Sequence, residues 1–229
     1  MGIIENLKET TKLFMDSFLG SLVAGIIFGF LGVLLFGGNS IMIPLLVLLG
    51  YGGLAVPIIS SVAFAFLYPR VMKWYYENVT GQRVNPNYTV ATVILLVILL
   101  AGVIPQVIVY YGILSGSIGL RELATWSLLG ALVQLVLLVV WSYNLFGAII
   151  GKVNSYSPNI FKSLILIVHF IIAGIIFGII SLILGLVLAL FIILSPLVGF
   201  ILTLIVSAIF GAIIATYISL LGMIVVKNS

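Results

Sequence analysis

The chain has 229 residues, of which 64% are hydrophobic and 6% charged, with a formal net charge of +4. Globular domains carry about 25% charged residues, so a water-soluble fold is excluded and the composition is that of a protein built of membrane spans. The absence of cysteine removes disulfides, thiolate metal sites and cysteine nucleophiles, and the basic residues sit at the ends of apolar stretches rather than in a stripe, so no nucleic-acid partner is expected.

The N-terminal segment is amphipathic. Ile4, Leu7, Phe14, Phe18 and Leu22 recur at helical spacing, while Glu5, Lys8, Glu9, Lys12 and Asp16 mostly cover other faces. This pattern predicts an interfacial helix over 1–20 that runs into the first span. The three acids argue against a cleaved signal peptide.

A helical span takes about 20 apolar residues, and the chain divides into about six such stretches. The first covers 21–36 and ends at the turn Gly37-Gly38-Asn39-Ser40. The second covers 41–68, interrupted by Pro44, Gly50, Gly52, Gly53 and Pro57, and a polar loop over 69–88 follows. Spans over 89–111 and 124–150 come next. Apolar sequence then continues from 160 to 226, divided into two long spans around Ser195-Pro196 because no polar turn supports a further break. The expected fold is an all-α polytopic bundle in one membrane domain: hairpins over 21–68, 89–150 and 160–226.

Six spans place both termini on one side. That side carries Lys8, Lys12, Arg70, Lys73, Arg83, Lys152, Lys162 and Lys227, against Arg121 on the other. Excess Lys and Arg mark cytoplasmic loops, so both termini are expected in the cytoplasm and the protein in the cell membrane. The sequons Asn78-Val79-Thr80 and Asn87-Tyr88-Thr89 fall in the loop placed inside; the charge asymmetry outweighs them.

Ala24 to Gly29 recurs letter for letter as Ala173 to Gly178, and at the same offset Gly50 meets Gly199, Ala63 meets Ala212 and Tyr68 meets Tyr217. This predicts a parallel repeat of a two-span hairpin. Each copy carries a pair of glycines four apart, Gly25/Gly29 and Gly174/Gly178. Lipid supplies no hydrophobic force between helices, so small residues allow the close approach that does. They suit packing within the chain, or a homo-oligomer or membrane-protein partner.

No Asp, Glu, Lys or Arg lies within an expected span. Proton-coupled carriers and voltage sensors place such groups at depth. Paired carboxylates, a metal cluster, a nucleophile triad and a phosphate loop are also missing, so neither enzyme activity nor a cofactor or metal is expected. Among the polar residues that remain, His169 with Asn144 and Gln106 with Gln134 form two possible pairs at similar depth. Each pair reads as a cavity lining or as an interhelical hydrogen bond, and the second reading is preferred. Gly50, Tyr51, Gly53 and Pro57, matched by Gly199 beside Pro196, suit either an unwound transport site or two kinked packing helices.

Gly50-Tyr51 followed by Pro57 resembles the Gly-Tyr…Pro element of Yip1 proteins. The amphipathic start, close-set spans and few charges are similar to small Yip1-like and related prokaryotic multi-pass proteins. The element is more widely spaced here and comes earlier, and six spans depart from that family's five. The resemblance implies a non-enzymatic membrane protein working through protein or lipid partners, and it identifies no binding residue. The function expected is therefore a scaffold or accessory subunit acting through helix packing and membrane lipid. The alternative is a transporter or channel-like protein for a neutral or weakly polar solute.

Overall fold

The computed structural model describes residues 2–32, 55–117 and 120–229. Among them the regular structure is entirely helical: α1 (Ile3–Asp16), α2 (Phe18–Gly32), α3 (Ala55–Thr80), α4 (Tyr88–Leu114), α5 (Leu120–Ile149), α6 (Ile160–Leu194) and α7 (Pro196–Lys227). Four stretches are long and apolar enough to cross a membrane: Tyr88–Gly112, Leu128–Ile149, Ile160–Leu194 and Pro196–Lys227. The bent pair α1 and α2 makes a fifth if counted as one. The expected second span falls partly on 41–54, which lies outside the described residues.

Two boundaries differ from the sequence reading. The N-terminal helix stops at Asp16 and the chain turns by 90° into α2. Ser17 adopts φ −119° and ψ 34°, outside the helical range. The region expected as a polar loop over 69–88 is helical through Thr80. Met72, Tyr75, Tyr76 and Val79 recur at three- and four-residue spacing and are buried, so they give this segment a face to pack. Pro69 withdraws one helical hydrogen bond, and the packed stripe after it outweighs that loss. Only 81–87 remains a connector.

The break at Ser195-Pro196 falls where the sequence placed it. Pro196 takes the first position of α7, where its missing N–H costs nothing. Ser195 alone links α6 to α7, and the two helices pack antiparallel, Phe177 meeting Tyr217 edge-on at 5.1 Å. An added Cβ at Gly199 would overlap the Ile192 backbone, so glycine is what lets the chain reverse so sharply.

The densest packing lies at one end of the bundle. There Met72, Tyr75, Tyr76, Ile149, Leu166, Leu220, Leu221, Met223 and Ile224 are buried together. Both connectors dock at this end. The Asn87 N–H donates to the Ala148 carbonyl at 2.8 Å. Lys152 Nζ donates to the Val226 and Lys227 carbonyls at 2.9 Å each, which satisfies the last turn of α7 and places a cation at its negative pole. The chain's two ends, 81–87 and 150–159 thus gather on one side.

Candidate functional site

The side chains that tie this end together begin on α1. Asn6, Thr10 and Phe14 stand four residues apart on one edge, and all three are buried. His169 is 2% exposed, and its Nδ1 lies 2.8 Å from the Ile165 carbonyl oxygen. A carbonyl only accepts, so Nδ1 carries the proton and Nε2 is the acceptor. The Asn6 amide donates to that Nε2 at 3.1 Å. Asn228 in turn donates to Asn6 Oδ1 and to Glu9 Oε2, at 2.9 Å each. Lys227 Nζ stands 3.6 Å from Glu9 Oε1. Asn228 and Lys227 fasten the C-terminal end to α1, and the His169 imidazole ties Asn6 of α1 to α6.

Asn144 serves a different segment. Its amide donates to the Ser155 and Ser157 carbonyls at 2.9 and 2.8 Å, and its oxygen accepts from the Asn159 N–H at 3.1 Å. Asn144 and His169 do not pair with one another; each orders its own neighbourhood. Asn144 shapes 151–159, and Trp141 adds a bond from Nε1 to the Tyr156 carbonyl at 2.8 Å.

Farther along the bundle, Gln134 of α5 packs on α4 where Gly102 leaves room. A Cβ at Gly102 would lie 2.5 Å from Gln134 Oε1. Pro105 follows three residues later and leaves the Ala101 carbonyl without its helical donor. Gln134 borders a cavity of about 260 Å³. Phe64, Leu99, Phe146 and Phe170 form apolar parts of its wall, and Tyr68 and Ser219 meet there at 2.9 Å. Gln106 also lies on α4; the surroundings of its side chain are outside the described residues.

The glycines divide by environment. Gly25 sits against α7, where an added Cβ would stand 2.7 Å from the Ala212 carbonyl oxygen. Gly174 and Gly178, its relatives in the repeated hexapeptide, have nothing within 4 Å of such a Cβ. Gly29 lies within α2. Gly199 packs inside the α6–α7 turn. Pro57 falls in the first turn of α3, where proline is tolerated; Gly50, Tyr51 and Gly53 lie outside the described residues.

These contacts hold and orient α1, α6 and the 151–159 segment. Among the described residues no three His, Cys, Asp or Glu side chains converge on a metal position. Sequence reasoning missed Asn6 and Asn228, which come from opposite ends of the chain. One signal was available: Asn6 and Thr10 interrupt the apolar side of α1 in register with Phe14. No family model, no curated protein and no solved structure matches the chain.

Proposed function

We propose that the protein is a non-catalytic scaffold or accessory subunit of the cell membrane, with both termini cytoplasmic, acting through helix packing and lipid contact. The α6–α7 hairpin carries this reading. Beyond Ala173 its outward residues, such as Ile175, Ile179, Leu186, Leu190 and Leu204, are exposed, and Gly174, Gly178, Gly185 and Gly211 have open space over them. Bare glycines on an apolar helix suit the close approach of another helix. The gathering of both ends, 81–87 and 150–159 with most of the basic residues on one side supports the cytoplasmic orientation. The resemblance to Yip1-like proteins points the same way.

The test is copurification from native membranes followed by native mass spectrometry. A stable membrane-protein partner or a homo-oligomer is expected. Gly178→Leu should abolish the association and leave the melting temperature unchanged. A solitary chain that moves solute would overturn the reading.

One observation favours a second reading, a carrier for a neutral or weakly polar solute. The cavity beside Gln134 is flanked by an amide that makes no side-chain hydrogen bond to a described residue. In hydrocarbon such a group gains from any partner that enters. Flux of small neutral solutes into proteoliposomes, lost in Gln134→Leu, would support it; unchanged flux would count against it.

A further inference from the structure

Where α1 crosses the hairpin it does not close on it. Thr11, Phe14, Met15 and Phe18 form one wall of a groove of about 350 Å³, and Ala173, Ile176, Phe177, Ile180, Ile213 and Tyr217 form the other. Met15 and Ile176 are 64% and 50% exposed, so the groove is open along its length. Its bulk is apolar, and it ends against the charged flank of α1.

Two features give the groove a polar end. The first is the pair formed by Thr11 Oγ1 and the Tyr217 hydroxyl at 3.0 Å. Each hydroxyl carries one proton and the bond uses one of them, which leaves one donor for an incoming oxygen. The second is Lys8 and Lys12. Lys8 precedes Thr11, and Lys12 precedes Met15, by three residues, so both stand one turn from the groove wall. Both are exposed, and neither makes an ion pair or hydrogen bond with a described residue. The acids of α1 do not neutralise them evenly. Glu5 accepts from the Gly2 N–H, and Glu9 is held by Asn228 and Lys227. Asp16 follows Lys12 by one turn, which leaves Lys8 the freer cation.

We propose that this groove is a binding site for one anionic glycerophospholipid. An acyl chain lies between α1 and the hairpin, an oxygen of the glycerol region meets the Thr11–Tyr217 pair, and the phosphate faces Lys8 and Lys12. The proposal rests on the lipid-contact reading and names its lipid. An apolar trough, an unused hydroxyl proton and two exposed lysines outside any ion pair to a described residue succeed one another in the order of a phospholipid's own parts. A neutral solute would leave the lysines unanswered.

The test uses the full chain in nanodiscs of equal phosphatidylglycerol and phosphatidylcholine with matched acyl chains, released into native mass spectrometry. Phosphatidylglycerol should be retained one per chain, in excess of phosphatidylcholine. A surface lysine contributes about fivefold toward an anionic headgroup, so Lys8→Gln with Lys12→Gln should bring the ratio close to unity. Met15→Trp fills the groove from an exposed position and should cut retention of both lipids with the melting temperature unchanged. Equal retention by the parent chain, or an anionic preference that survives the double lysine change, would overturn the proposal. The scaffold reading is judged separately by partner copurification, so either can fail alone.

Discussion

The repeated hexapeptide offers a controlled comparison, because one sequence occupies two environments. At Gly25 an added Cβ would meet the carbonyl oxygen, carbonyl carbon and Cβ of Ala212 at 2.7, 2.9 and 2.9 Å. Two of these atoms are backbone, so α2 and α7 must separate. Overpacking of this kind costs about 1–3 kcal/mol, and unyielding neighbours place it at the upper end. Alanine returns up to about 1 kcal/mol of helix propensity over glycine. The net expectation for Gly25→Ala is a loss of about 2 kcal/mol. At Gly174 nothing opposes the methyl, so Gly174→Ala keeps the gain of up to about 1 kcal/mol. For a chain of this size about 1 kcal/mol moves the melting temperature by about 2–4 °C. The two variants should therefore melt on opposite sides of the parent, Gly25→Ala lower by about 4–8 °C. Thermal unfolding by circular dichroism in one mild detergent reads both. Equal shifts for the two, or a rise for Gly25→Ala, would refute the packing of α2 on Ala212.

Asn6→Leu strands the His169 acceptor and leaves Asn228 with its bond to Glu9 alone. It should cost about 1–3 kcal/mol and raise hydrogen exchange in α1 ahead of the other helices; uniform exchange would show that the helix is held by other means. Asn144→Ala removes three hydrogen bonds at once, each contributing about 1 kcal/mol, and limited proteolysis should then cut within 151–159; a resistant segment would count against the role given to Asn144. Tyr75 and Tyr76 lie beyond the apolar part of α3. Burial pushes the Tyr75 phenol from its ordinary value of 10.0 up to about 12, against a smaller opposing effect of its bond with Ser21. Burial, and secondly the Glu9 carboxylate, pushes Tyr76 up to about 12. The folded chain holds these protons more tightly than the unfolded chain, so their contribution is complete below about pH 10 and disappears between about 10 and 12. Melting temperature should fall across that interval, and less steeply in Tyr75→Phe.

The apolar helices and the reversal at Ser195-Pro196 were legible because composition and proline act locally. The helical run through Thr80 was legible in principle, since Met72, Tyr75, Tyr76 and Val79 keep helical spacing. It was obscured by Arg70, Lys73 and Glu77, which read as loop. Lys73 and Glu77 are a turn apart on the outer face, 3.8 Å from each other. The partners of His169 were beyond reach. Asn6 and Asn228 come from opposite ends of the chain, and nothing local to α6 specifies them. Asn144 shows the converse. Its partners lie 11 to 15 residues away, yet a polar residue late in an apolar span reads as a membrane-depth group until the following segment folds back onto it. The repeat was visible as letters, but letters did not reveal that Gly25 is covered and Gly178 bare.

The hairpin joined at Ser195 sets a demand on the bilayer itself. At about 1.5 Å per residue, the 35 residues of α6 extend about 52 Å, while the hydrocarbon of an average membrane is about 30 Å deep. No charged residue occurs between Lys162 and Lys227, and Ile193, Leu194 and Leu197 at the tip are 77%, 81% and 73% exposed. The tip therefore prefers oil to water. Leaning over, or drawing lipid up around itself, relieves the mismatch at a modest cost for each ångström. That cost is least where the bilayer is thickest, so in vesicles of graded acyl-chain length the hairpin should melt at the highest temperature in the longest-chained lipid.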